Sequence, residues 1–178
     1  MRIINAGEEH IPAIQEIYAY HVIHGTASFE TEPPGVEEML SRLRKINSQK
    51  LPWYVAIGEE QVIGYCYLTH YRERYAYRFT LENSIYISPA FQKQGIGKQL
   101  LGQAIDWAEA NGYRQLIAIV GDSSNHGSLK LHQRAGFMEA GTLKNIGFKH
   151  GRWLDTVLLQ RSLGEGSTTF PPDATIAL

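Results

Sequence analysis

The chain has 178 residues, 43% hydrophobic and 20% charged, with 17 lysines and arginines against 18 aspartates and glutamates. That length is one domain by prior, with chain enough to bury about two-thirds of its unfolded surface. A formal net charge of −1 argues against a dedicated nucleic-acid binder, and no apolar run approaches the ~18 residues of a membrane helix. The first residues lack the apolar core of a signal peptide, so the expected compartment is the cytoplasm, with no membrane partner.

In chain order, Arg2 to Asn5 reads as a short strand. Ile11, Ile14, Ile17, Tyr18 and His21/Val22 share a helical face running to about His24, with Pro12 near the first turn. Gly25 to Gly35 is a loop by its Gly, Pro and Thr content, and Val36, Met39, Leu40 and Leu43 mark a second helix ending near Asn47. Trp53–Ile57 and Gln61–Leu68 are strands joined around Gly58-Glu59-Glu60. The single cysteine, Cys66, cannot form an internal disulfide and lies in an apolar run, a core thiol with no base beside it. His70 to Phe79 has no clear period and reads as a loop or irregular strand extension.

Next, Ile85 and Ile87 alternate with Ser84, Tyr86 and Ser88, the period of a strand, and Pro89 ends it. Ile96, Leu100, Ala104, Ile105 and Ala108 then take helical spacing, and Asn111-Gly112 stops that helix. Leu116–Val120 is a continuous apolar run, read as a strand buried on both faces. Asp122 to Asn125 offers caps for a short helix over Gly127–Ala135. Met138–Phe148 and Trp153–Gln160 are two antiparallel strands around Lys149-His150-Gly151-Arg152. A domain over residues 1–163 and a polar tail over 164–178 complete the division. The seven histidines are dispersed, without zinc-ligand spacing. The result is a mixed α/β layer.

The turn Gln92-Lys93-Gln94-Gly95-Ile96-Gly97-Lys98 carries the clearest chemistry. A helix start presents unpaired N–H donors and the positive dipole end, a ready phosphate site. Glycines at 95 and 97 would let a pyrophosphate approach the backbone, and Lys93 and Lys98 add charge. By itself G-x-G is equally a tight strand-to-helix turn, and it matches neither a P-loop nor a Rossmann turn.

In context, the Gln92–Gly97 segment after a strand resembles the Q/R-x-x-G-x-G/A acetyl-CoA pyrophosphate motif of the GNAT superfamily of N-acetyltransferases. Asn125-His-Gly-Ser128 through Gly136-Phe137 resembles that superfamily's second cofactor segment, with His132 where a tyrosine is usual. That departure, Glu82 before Ser84-Ile-Tyr-Ile-Ser-Pro89, Phe148-Lys-His-Gly-Arg-Trp-Leu-Asp155, and Phe29-Glu-Thr-Glu-Pro33 together resemble the phosphinothricin and methionine sulfoximine acetyltransferase branch. The resemblance implies the GNAT fold: a mostly antiparallel sheet of about seven strands flanked by about four helices. It implies acetyl-CoA as co-substrate and no metal. Ile85, Tyr86, Ile87, Gln92 through Lys98, Asn125 and Ser128 then become cofactor contacts.

The same resemblance assigns Glu82 as general base, since an ammonium acceptor must lose a proton before attacking a thioester. Without it, a strand glutamate is a solvated face or an ion-pair partner. His132 is placed near the thioester as acid, base or orienting donor; a lone helix histidine is otherwise structural. Arg72, Arg74, Tyr77 and Arg78 precede Glu82 in an Arg- and Tyr-rich loop suited to an anionic acceptor, with Phe29 and Lys149 bordering the pocket. The plain alternative for that loop is an amphipathic edge.

The expected activity is direct acetyl transfer from acetyl-CoA to the α-amine of a small amino-acid-like acceptor. The alternatives are a protein N-terminus, polyamine or aminoglycoside as acceptor, or a non-catalytic acyl-CoA sensor. A homodimer is expected by analogy of fold, with Phe170-Pro171-Pro172 crossing to the partner.

Overall fold

The structure is a computed structural model that describes residues 1–171. Its elements are β1 (Arg2–Asn5), α1 (Ile11–His24), α2 (Val36–Ser48), β2 (Trp53–Gly58), β3 (Gln61–His70), β4 (Thr80–Ile87), α3 (Ile96–Ala110), β5 (Gln115–Gly121), α4 (His126–Arg134), β6 (Met138–Lys149) and β7 (Arg152–Ser162). The strands form one seven-stranded sheet in the order β1-β2-β3-β4-β5-β7-β6. Every neighbouring pair is antiparallel except β4 and β5, which are joined through α3 and run parallel. The expected α/β fold, with its order of elements, is the one observed.

The local causes are legible. Pro12 stands in the first turn of α1, where a missing N–H costs nothing. The β2–β3 hairpin turns through Glu59 and Glu60, both at positive φ (50° and 58°), the twist a two-residue hairpin loop requires. His150 and Gly151 (51° and 72°) make the corresponding turn between β6 and β7. Gly112, at φ 80°, follows the end of α3.

Side chains alternate along β4. Tyr86 packs on Tyr18 and His21 of α1, ring centroids 5.1 and 5.5 Å away. Ile85 points to the other face, toward Gly97 of α3 and Leu131 of α4. The sheet is therefore a middle layer, with α1 and α2 below and α3 and α4 above. Its core joins Ile14, Val22 and Leu43 to Leu100, Leu101 and Leu116, all at most 1% exposed. Cys66 is fully buried there, and burial pushes its thiol up to about 12.

Several boundaries move. β6 runs one residue further, to Lys149, β7 lengthens at both ends to Arg152–Ser162, and α4 begins at His126 because Asn125 is its cap. The stretch after β3 is a loop with one 3-10 turn at Tyr75–Tyr77. The β5 reading needs correction: Leu116, Ala118 and Val120 are buried, but Ile119 is 41% exposed. The cause is topological. β4 and β5 pair only from Thr80↔Gln115 to Asn83↔Ala118, and beyond that the two strands part.

Of the stretch expected as tail, residues 164–171 fold back: Arg114 donates to the Gly166 carbonyl (2.9 Å), to Oγ1 of Thr169 (3.0 Å) and to the Phe170 carbonyl (3.3 Å). Phe170 itself is 78% exposed. Pro172, the end of the segment expected to cross to a partner, lies outside the described residues.

Candidate active site

The parting of β4 and β5 opens a cleft lined by Asn83 to Tyr86 on one wall and Ala118 to Gly121 on the other. Asn125, Ser128 and His132 of α4 roof it, and Ala27 of the α1–α2 loop edges it. Its walls carry unpaired main chain. Thr80 O and Ser88 N both bond toward β3, so by alternation the even residues of β4 face β3 and the odd ones face β5. Past Asn83, the N–H and C=O of Ile85 and Ile87 therefore face the cleft. On β5, Asp122 N bonds to Asp155 of the β7 side, which leaves Ile119 and Gly121 facing the cleft likewise. An extended chain laid between the strands would complete both edges, as an added strand does.

One of these groups is already taken. His21 of α1 donates Nε2–H to the Ile87 carbonyl at 2.8 Å, leaving the Ile85 and Ile87 N–H groups as donors. Burial holds the His21 ring below its ordinary pKa, in keeping with a neutral ring that donates once. Tyr86, an even residue, turns its N–H to β3, so of Ile85, Tyr86 and Ile87 only the first and last present an N–H to the cleft.

Beyond β4, the chain reaches α3 through Gln92, Lys93 and Gln94, all exposed. Gly95, at φ 80°, is the N-cap of α3 and offers no side-chain cap, so the first N–H groups of the helix, on Ile96, Gly97 and Lys98, stay open for an anion. The two glycines have different reasons. A Cβ at Gly95 meets nothing, and only its left-handed backbone asks for glycine. A Cβ at Gly97 would stand 3.2 Å from Leu131 of α4, so this glycine lets α4 come close to α3.

On the lower face, Glu82 is half-buried at the level where the strands part. Burial raises its carboxyl pKa, and the nearby positive charge of Arg72 partly opposes the rise. The neighbouring arginines differ. Arg78 stacks its guanidinium between the rings of Tyr75 and Phe79, 4.1 and 4.4 Å from their centroids, and donates to the Tyr75 carbonyl. It is engaged within its own loop and is not presented as a clamp. Arg74 and Tyr77 are exposed, and Arg72 lies over Tyr71 at 5.2 Å.

Lys149 likewise does not reach the cleft as a free cation: it is 4% exposed and donates to the Ser28 carbonyl at 2.7 Å. Burial lowers its pKa, with Glu30 opposing. With Thr26 donating to Asp122 (2.8 Å) and His150 to the Gly25 carbonyl (3.1 Å), it pins the α1–α2 loop over the end of β5. Phe29 of that loop rests on Gly121 and Gly147. A Cβ at Gly121 would sit 2.8 Å from its ring and one at Gly147 closer still, so both glycines are needed for the ring to lie where it does. Asp122 is held well below the carboxylate range: burial pushes it up, but bonds from Ser124, Thr26 and Arg152 outweigh that.

On the upper face, Asn125 caps α4, its side-chain oxygen accepting the Ser128 N–H at 3.3 Å. His132 is 2% exposed, with Nδ1 2.8 Å from the Ser128 carbonyl and Nε2 2.9 Å from Nδ2 of Asn83. Burial lowers its pKa, so the ring is neutral near pH 7. Glu82 and His132 thus flank β4 from opposite faces. The residues that sequence reasoning missed are Asn83 and His21. Asn83 had a signal: it is the polar break in the apolar face Leu81-x-Asn83-x-Ile85-x-Ile87.

The family model "Acetyltransferase (GNAT) family" matches residues 16–137. A phosphinothricin N-acetyltransferase of Alcaligenes faecalis is 53% identical over 164 residues, 92% of this chain and 83% of that protein. An L-methionine sulfoximine/L-methionine sulfone acetyltransferase of Salmonella typhimurium is 33% identical over 98% of this chain and 99% of its own length. Among solved structures, a phosphinothricin acetyltransferase from Sinorhizobium meliloti in complex with acetyl-CoA superposes with a TM-score of 0.94 at 41% identity, over 99% of this chain and 95% of that one. The chain belongs to the GNAT family of acetyltransferases.

Proposed function

We propose that the protein transfers the acetyl group of acetyl-CoA to the α-amine of a small amino acid whose side chain ends in an oxyanion-like head, of the phosphinothricin or methionine sulfoximine type. The observation that carries this reading is a cleft walled by free main-chain donors, with the half-buried Glu82 one residue before the strands part and the Arg72 charge acting on its carboxyl. When bound, acetyl-CoA supplies an acetyl group activated as a thioester. The open N–H groups of Ile96, Gly97 and Lys98, with Lys93, suit its pyrophosphate, and the Ile85 and Ile87 N–H groups suit the oxyanion of an attacked carbonyl. Asn125 and Ser128 line the cleft, where the pantetheine arm of the cofactor would run.

Glu82 takes the proton of the acceptor ammonium, a task helped by a pKa raised toward neutrality. Arg72, with Arg74, holds the acceptor's carboxylate or its oxyanion head. Attack is direct: Cys66 is buried and its thiol lies at about 12, so it forms no acetyl-enzyme. His132 lies on the cofactor side, its ring neutral at rest. The assay is thiol release from acetyl-CoA with a panel of amines. Phosphinothricin and methionine sulfoximine are expected to turn over best. Faster acetylation of spermidine, an aminoglycoside or a peptide N-terminus would reject this acceptor class and keep the acetyltransferase.

We also propose a homodimer through β6 and β7. β6 is an edge strand, and Ile146, Phe148 and Trp153 on this hairpin are 56%, 59% and 62% exposed, an apolar face of the kind a second copy covers.

A further inference from the structure

Asn83 is 5% exposed, and its Oδ1 has no hydrogen-bond partner, one of few such buried atoms among the described residues. A buried amide oxygen left unpaired costs on the order of a lost hydrogen bond or more. Its orientation is forced by His132. The Ser128 carbonyl can only accept, so Nδ1 of His132 carries a proton. In the neutral ring Nε2 is then a bare lone pair, and Asn83 must present its NH2 to it. Oδ1 is turned away and stranded.

The arrangement changes if the ring gains a proton. Nε2–H then needs an acceptor, and the stranded Oδ1 belongs to the same amide. A half-turn about the last side-chain torsion brings it to Nε2 with no movement of the backbone. We propose that Asn83 is a positioning residue for His132, an amide that donates to the neutral ring and turns over to accept from the protonated one. His132 can then take up and give back a proton inside a buried site without leaving either ring nitrogen unpaired. This deepens the acetyltransferase reading and rests on it for its role in turnover. Transfer from sulfur to an ammonium acceptor must seat one proton on the thiolate and release another, and Glu82, on the opposite face of β4, serves only the amine.

No charged side chain among the described residues competes for the ring. β4 presents Asn83, β5 presents Ala118 and Val120, and the turn after α4 presents Phe137, edge-on at 5.1 Å. On α4 itself, Ser128 lies one turn back with its Oγ 3.5 Å from Nδ1, and Lys130 and Arg134 are exposed.

The test is a titration of the His132 ring by nitrogen-15 NMR in the intact protein, with Asn83→Leu and Asn83→Asp. In the native protein the Asn83 NH2 should couple to Nε2 while the ring is neutral and lose that coupling once it is protonated. Asn83→Leu, which serves neither state well and leaves a buried imidazolium without an acceptor, should lower the ring's ionisation midpoint by about one pH unit. Asn83→Asp, which accepts only, should raise it by about as much or more. A side chain that merely fills space would let the amide keep one orientation throughout. If the coupling persists through the titration, or if Asn83→Leu leaves the midpoint unmoved, the proposal is overturned. Should Asn83→Leu not fold, the native coupling and Asn83→Asp decide alone. The pH profile of kcat should shift in the same order as the midpoints. A profile indifferent to both variants overturns the role in turnover, whereas an absence of any acetyl transfer by the native protein rejects the acetyltransferase reading itself.

Discussion

Glu82 carries opposed demands. Its pKa is raised by burial, so the folded state holds its proton more tightly than the unfolded chain does. The sign follows: folding is favoured in full below the unfolded carboxyl's pKa, and that advantage is lost as pH rises through the folded one. At pH 7 the charged carboxylate therefore destabilises the fold. Glu82→Gln is expected to raise Tm at pH 7 while lowering kcat by ~10²–10⁴-fold, with acetyl-CoA binding retained, checked by calorimetry and thiol release. A Tm that falls would mark Glu82 as a structural partner. Arg72 opposes the rise, so Arg72→Ala should move the acid limb of kcat/KM to higher pH and raise KM for anionic acceptors. Arg78→Ala, whose guanidinium is stacked within its loop, should change KM far less. Measuring both variants against one amino-acid acceptor separates the two arginines.

The meeting of α3 and α4 over β4 is the element that sets the cleft. Gly97 lies against Leu131, and Leu131 adjoins His132, so a side chain at 97 pushes on the helix that roofs the cleft. Gly97→Val should lower both Tm and acetyl-CoA affinity, with the affinity loss arising from displaced α4. Gly95→Ala is a different experiment. Its Cβ would meet nothing, so the cost is the left-handed backbone alone, about 1–2 kcal/mol, read as a lower Tm with affinity little changed. If Gly97→Val kept its Tm but lost affinity, the glycine would be clearing space for the phosphate after all. The second element-scale feature is the α1–α2 loop, fixed by Lys149, Thr26 and Phe29 to β5 and β6. It is a wall assembled from three separated stretches of chain.

At the scale of the whole molecule, β4 is the middle strand of seven, and the single parallel pairing in the sheet falls beside it. Two parallel strands joined through one helix, α3, part where β4 turns to enter that helix, so the cleft and the uncapped helix start follow from one crossover. The exposed β6–β7 face predicts the assembly. Sedimentation should give a dimer at micromolar concentration, and Trp153→Asp, at a residue 62% exposed, should shift it to monomer with Tm little changed. A native monomer would reject the pairing.

Local physics determined much of this protein in advance. The strand periods, the Pro12 helix start, the Gly112 stop, the Asn125 cap and the Gln92–Lys98 turn are written in neighbouring residues, because backbone sterics and capping act over a few positions. So the order of elements, and the turn that suits a phosphate, could be read from the chain. Three things could not. Whether Ile119 is buried depends on where β5 leaves β4, and pairing between distant strands has no local signature. Which arginine stands near Glu82 depends on the path of a loop without period, where Arg78 finds two aromatic rings and Arg72 does not. The state of His132 depends on Asn83, 49 residues away, whose amide faces it only because β4 and α4 meet. A pattern along the chain fixes which face a residue takes, and only the packed fold decides what it faces.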